Sequence, residues 1–167
     1  MSELKVNYSD EPVEKGEQSI FLAGPTPRNG EAESWRPEAV ETLRKLGYTG
    51  LVYVPERKSD PNYNYDEQVE WEWEALHNAD AIAFWIPRDI KPELASLGMP
   101  AFTTNVEFGF HLQRAPEKVA YGRPDDSQKN RYLDHLYKKQ TGRDPSRDLE
   151  TLMQDSIERT RKDNEKF

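Results

Sequence analysis

Short apolar runs stopped by proline or glycine alternate along this chain with longer stretches in which apolar residues recur every three or four positions. Ser19-Ile20-Phe21-Leu22-Ala23 ends at Gly24-Pro25, Leu51-Val52-Tyr53-Val54 at Pro55, Ala81 to Ile86 at Pro87, and Lys118-Val119-Ala120-Tyr121 at Gly122. Each reads as a buried strand entering a loop. Between the first two, Ser34 is placed as an N-cap, Pro37 and Glu38 fall in the first turn, Ala39, Val40, Leu43 and Leu46 keep helical spacing, and Gly47 closes the helix. Residues 65–79 form a second predicted helix with Val69, Trp73 and Leu76 on one face, and a third runs from about Thr104 to Arg114. Two more are predicted over 127–137 and from 147 to about 162, the last very polar and read as a surface element or a subunit contact. Residues 57–65 read as a loop. Residues 90–101 read as a connection that folds over the site with Leu94, Leu97 and Met99.

Strand and helix alternate, and each crossover is long enough to join parallel strands. The pattern therefore predicts an α/β protein: a three-layer parallel sheet with helices on both faces. The polar residues 1–17 read as a flexible N-terminal arm, and residues 18–167 as a single domain whose C-terminal helical extension begins near residue 127. The proline and glycine stops all fall at the C-terminal ends of strands, so they gather on one edge of the sheet. Open α/β sheets bind their ligands at that edge.

Composition narrows the chemistry. The 167 residues carry 31 acids and 23 bases, a net charge of −8, which argues against a surface that tracks polymeric nucleic acid. With no cysteine, the chain has no disulfide, thiolate metal site or thiol nucleophile. His77, His111 and His135 lack metal-ligand spacing, so neither a metal nor another cofactor is expected. No run approaches the roughly 20 apolar residues of a membrane span, and the polar start does not resemble a secretory leader, so a cytoplasmic protein without membrane contact is expected.

Glu107 stands out among the candidates on the ligand edge. A carboxylate there can attack a sugar carbon. Thr104-Asn105-Val106-Glu107 is equally a capping box, and the local pattern by itself favours the cap. Thr103, Thr104 and Asn105 supply small polar groups suited to sugar hydroxyls or a phosphate at a helix start. Trp71 and Trp85 are candidates to stack on a base, whereas Trp73 reads as core filling. Arg28, Arg36, Arg88 and Arg123 each sit in or beside a loop on the same edge, a distribution that suits an anionic ligand. Glu56 and Glu72 are further carboxylates within reach, and His111, one turn beyond Glu107, is placed to tune it.

These residues carry a family resemblance. FLAGPTPR (21–28), SWRPEA (34–39), VYVPE (52–56), YDEQVEWEWE (65–74), ADAIAFWIPR (79–88), FTTNVEFGF (102–110) and YGRPDD (121–126) span about two-thirds of the chain. In that order they resemble the nucleoside 2-deoxyribosyltransferase-like family, especially its less characterised branch. The resemblance implies a flavodoxin-like or Rossmann-like sheet, a homo-oligomer, and cleavage or transfer at the N-glycosidic bond of a small-molecule nucleoside or nucleotide. It makes Glu107 the nucleophile that forms a glycosyl-enzyme, with Thr104 matched to the small residues of that loop. Asp89, Glu72 or Glu56 would then protonate or orient the base, while Gly24, Pro25, Arg28, Arg36, Thr103, Thr104 and Asn105 would border or hold the sugar and any phosphate.

The chain departs from the family pattern at three places. Phe21 stands where a tyrosine is common, and Arg88 and Ala101 stand where characterised transferases carry aspartates, with Asp89 able to replace the first. The alternatives are a nucleoside 5′-monophosphate N-glycosidase and a non-catalytic nucleotide-binding sensor.

Overall fold

Four runs in which every residue is buried, Ser19–Ala23 (β2), Leu51–Val54 (β3), Ala81–Trp85 (β4) and Val119–Gly122 (β7), make the centre of the structure. A computed structural model describes residues 3–27, 33–60, 62–90 and 98–161. With Lys5–Tyr8 (β1) these runs form a five-stranded parallel sheet in the order β1-β3-β2-β4-β7. Successive strand residues point to opposite faces, and the core divides accordingly. Phe21, Tyr53, Ile82, Phe84 and Tyr121 meet helices α2 (Tyr65–Asn78), α3 (Phe102–Arg114) and α4 (Arg131–Thr141) on one side. Ile20, Leu22, Val52, Ala83 and Ala120 meet α1 (Arg36–Lys45) and α5 (Leu149–Thr160) on the other. The result is the expected three-layer α/β arrangement, consistent with a flavodoxin-like fold. Among the described residues no helix is long and apolar enough to cross a membrane.

Chain order fixes where a ligand can enter. From β2 the chain passes through α1 to β3 on one side, then through α2 to β4 on the other side of β2. The C-terminal ends of β2 and β4 therefore splay apart at a topological switch point. Gly24 makes the close approach there possible. Its φ is +151°, and a Cβ at this position would lie 2.1 Å from the Trp85 carbonyl oxygen.

Several elements differ from the sequence expectations. The N-terminal residues are not a loose arm: β1 pairs with β3 from Lys5↔Leu51 to Tyr8↔Val54. Leu4, Val6 and Tyr8 pack against the core, and the segment that follows is tied down by hydrogen bonds from Tyr53 Oη to the Glu14 carbonyl (2.6 Å) and from Trp71 Nε1 to the Glu11 carbonyl (2.9 Å). On α2 the buried face is Gln68, Trp71, Ala75 and Leu76, so Trp73 and Val69 face solvent instead of the core. Helix α4 begins at Arg131, four residues later than expected, and α5 is a core helix that buries Leu152 and Met153. The 90–101 connection starts and ends in a small antiparallel pair, Asp89–Ile90 (β5) with Gly98–Met99 (β6). Leu94 and Leu97 lie outside the described residues.

Candidate active site

A cleft of about 1210 Å³ opens at the switch point. Phe21, from β2, lines it. Gly24, Pro25 and Thr26 line it from the β2–α1 loop, Glu56 and Arg57 from the turn after β3, Gln68 and Glu72 from α2, and Ala101 to Thr104 with Glu107 from α3. Asp89 and Met99 come from the β5–β6 pair, and the aromatic side chains of Tyr63, Tyr65 and Phe102 line it from exposed positions.

Glu107 owes its position to the way α3 begins. The helix starts at Phe102, its N-cap is Ala101 in the left-handed region (φ 57°, ψ 41°), and no side chain caps it. Thr104 therefore lies inside the first turn, no capping box forms at this terminus, and Glu107 lines the cleft. A buried guanidinium holds this start in place. Arg88 donates from Nη1 to the Pro100 carbonyl (2.7 Å), from Nη2 to Asn105 Oδ1 (2.6 Å), and from Nε and Nη2 to Asn130 Oδ1 (both 3.2 Å). Arg88 and Asn105 are thus fastened to each other and do not line the cleft, in contrast to the ligand contacts expected of them.

Glu107 meets Glu72, and the two carboxyls are close enough to share a hydrogen bond. Burial, the neighbouring negative charge and that hydrogen bond push the Glu107 carboxyl up to about 8, against the pull of the Arg36 cation. The Glu107 carboxyl therefore keeps most of its proton in the neutral range. Gln68 fixes the neighbouring carboxyl. Its amide nitrogen faces the Pro55 carbonyl (3.3 Å), which can only accept, and so also donates to Glu72 Oε1 (2.7 Å). That donor holds the Glu72 carboxyl in place beside Glu107.

Arg36, at the first position of α1, is buried and spends its fork on the cleft wall. Nε donates to the Leu22 carbonyl (3.0 Å), Nη1 to Thr26 Oγ1 (2.8 Å) and Glu56 Oε2 (2.9 Å), and Nη2 to the Gly24 carbonyl (2.7 Å). Ser34 does not cap the helix. Its hydroxyl donates to Glu56 (2.6 Å) and accepts from the Arg36 backbone N–H (3.2 Å). Arg123 pairs with Asp134 at 2.6 Å and does not line the cleft, and Arg28 lies outside the described residues.

The tryptophans expected to stack on a base are elsewhere. Trp71 is buried among Phe21 and Tyr53, and Trp85 lies in the opposite core layer with Trp35; neither lines the cleft. His111 is buried beside His77, and burial pushes its imidazole down to about 4, so it is neutral at physiological pH. Gln68, Tyr63, Tyr65 and Phe102 are cleft residues that the sequence reading missed. The signal for the tyrosines was available: two aromatic residues close together in the loop that leads from a proline-stopped strand into the next helix.

A family model described as nucleoside 2-deoxyribosyltransferase like matches residues 17–125, and so covers more than half of the chain. The chain belongs to this family. The matched segment of the deoxyribosyltransferase-like chain runs from the start of β2 past β7, and so contains the Glu72–Glu107 pair, Gln68 and Arg36. Strand β1 and helices α4 and α5 fall outside it. No curated protein matches the chain.

Proposed function

We propose that this protein is a cytoplasmic, homo-oligomeric enzyme that cleaves the N-glycosidic bond of an unphosphorylated nucleoside through a covalent sugar ester on Glu107. The observation that carries this reading is the buried Glu107 carboxyl set against Glu72 in the lining of the cleft. One proton on two carboxyls suffices for both halves of the displacement. Glu107 passes it to Glu72, becomes a carboxylate and attacks C1′. Glu72 delivers it to a ring nitrogen of the base as the C1′–N bond breaks and its electron pair leaves with the base. The ester is then opened by a second base or by water, and Glu72 takes back the proton of the incoming nucleophile. Asp89 lines the same cleft as a further acid beside the departing base, and Tyr63, Tyr65 and Phe102 supply aromatic surface for that base.

The sugar is read as unphosphorylated because the described arginines are already committed. Arg36 donates to four protein acceptors, Arg57 at the cleft rim is paired with Asp60, Arg88 and Arg123 do not line the cleft, and the carboxyl groups of Glu56, Glu72 and Asp89 all do. A phosphate would meet a wall rich in negative charge. Nucleosides are expected to be turned over with at least a ~10-fold higher kcat/KM than their 5′-monophosphates, a preference of about 1.4 kcal/mol or more.

The deciding experiment incubates the protein with nucleosides, deoxynucleosides and their monophosphates, with and without an acceptor base. Chromatography follows free and exchanged base, and mass spectrometry follows a sugar adduct on the peptide containing Glu107. Absence of freed or exchanged base across the panel, or an adduct confined to another residue, would overturn the proposal. Gln68 supplies a finer test. In Gln68→Leu the Glu72 charge loses its amide donor, and a hydrogen bond to a charged group is worth about 1.5–3 kcal/mol. The alkaline limb of the pH–kcat/KM profile is expected to move up by roughly 1 pH unit. An unchanged limb would remove Gln68 from the proton account.

A further inference from the structure

Arg57 and Tyr63 reach the cleft from the stretch between β3 and α2. Tyr63 is 62% exposed, so burial does little to hold this part of the wall. Polar bonds hold it instead, and they come from the start of the chain. The pairing of β1 with β3 continues one step past both strands, where the Ser9 N–H donates to the Glu56 carbonyl (3.0 Å). There the chain turns. The Glu11 N–H donates to the Tyr8 carbonyl (3.0 Å), the Glu11 carboxylate accepts from the Tyr8 N–H (3.0 Å), and Asp10 stands at the corner.

The Asp10 carboxylate accepts three successive backbone N–H groups. Oδ1 takes that of Lys58 (2.8 Å), and Oδ2 takes those of Ser59 (2.9 Å) and Asp60 (3.0 Å). Consecutive N–H groups converging on one anion form a nest, and Asp10 fills this one from 48 to 50 residues away. The same donors, Lys58 most and then Asp60 and Ser59, hold the Asp10 carboxyl well below the usual carboxylate range, so it is anionic at neutral pH. Asp60 passes the restraint on. Its carbonyl accepts from Arg57 Nε (2.7 Å), and its carboxylate pairs with Arg57 Nη2 (3.1 Å) and accepts from the Asn62 N–H (2.8 Å). The guanidinium at the cleft rim is thus fixed on one side of the nest, and the backbone leading into Tyr63 on the other.

We propose that Asp10 is a positioning residue: by filling the nest it fixes the cleft wall formed by Arg57 and Tyr63. Asp10 precedes residues 17–125, so a part of the chain beyond the family match shapes the cleft. A wall already ordered costs less to bind against, so the clamp raises affinity for the substrate. That consequence rests on the reading of the cleft as a nucleoside site, whereas the clamp itself does not. Glu72 and Glu107 are placed by α2 and α3, so the clamp bears on binding and leaves the chemical step alone.

Nitrogen-15 NMR of the full chain reads the clamp without turnover. The Lys58, Ser59 and Asp60 amides and the Arg57 Nε–H are expected to exchange slowly with solvent in the wild type. In Asp10→Ala their exchange should quicken by roughly 10-fold or more. Asp10→Asn keeps one of the two acceptor oxygens and should fall between. In steady-state kinetics with the nucleoside of the panel that is turned over fastest, Asp10→Ala should raise KM about 5-fold or more and leave kcat within about 2-fold, with Asp10→Asn recovering part of the KM. A protein that frees no base yet protects these N–H groups in an Asp10-dependent way loses the proposed chemistry and keeps the clamp. Equal exchange in the wild type and both variants, an unchanged KM in Asp10→Ala, or a kcat that falls as far as KM rises would overturn the inference. If Asp10→Ala fails to fold, Asp10→Asn decides by the same readouts.

Discussion

Glu107→Gln is expected to lose base release by at least about 10³-fold and, at the same time, to be more stable than the wild type at neutral and alkaline pH. The sign follows from the two titrations. The carboxyl has an ordinary value of 4.5 and rises to about 8 in the fold. Between those values the folded state holds more proton than the unfolded state, so wild-type stability falls as pH climbs through the window. Glutamine stays neutral and escapes that loss. The variant should match the wild type below about pH 4.5, pull ahead between 5 and 8, and then hold a constant lead. Linkage over that window is on the order of a few kcal/mol, which is several degrees in Tm for a chain of this length. Thermal melts at pH 5, 7 and 9, run beside the base-release assay, check both halves. A lead that does not vary with pH would mean that Glu107 is not the group holding the proton.

Arg36→Met should be the most damaging single change to stability. Its side chain is 2% exposed, and its removal strands Glu56 together with the carbonyls of Leu22 and Gly24 and the Thr26 hydroxyl. Breaking a buried pair in this way costs about 3–5 kcal/mol. For this chain length that lowers Tm by roughly 6–20 °C. Arg36→Lys should recover little of it, because a point ammonium cannot serve acceptors spread around a planar fork. Differential scanning calorimetry of both variants gives the comparison, and a melt of Arg36→Met within a degree or two of the wild type would contradict this account of the wall.

The central strands were legible because each apolar run is buried on both faces and ends at a proline or glycine. β1 was not. It is defined by pairing with β3, some 46 residues away, as in Lys5↔Leu51, and its central Asn7 is a buried polar residue that bonds the Pro12 carbonyl and the Glu14 N–H. The periodicity of α2 misled for a different reason: Val69 and Trp73 are apolar yet exposed, so they shifted the expected face away from Trp71 and Ala75.

At the site, the position of Glu107 on the ligand edge could be read from strand β4 and the helix after it. The start of α3 could not, since Arg88 fixes it through Pro100, Asn105 and Asn130, partners 12 to 42 residues distant. The same is true of the arginines as a group. Sequence shows that they lie in loops, but which carbonyls have already taken their donors is a property of the folded chain. Family membership came from the spaced motifs, and what Gln68 does between Pro55 and Glu72 came only from geometry.

β1 must wait for partners that lie more than forty residues later in the chain. Its docking site is β3, which itself leans on β2, so β1 cannot dock until residue 54 has been made and placed. When it returns, its connection to β2 latches onto Tyr53 and Trp71, the two rings packed around Phe21. The bottom of the pocket therefore becomes rigid only when the connection between β1 and β2 has latched onto those two rings.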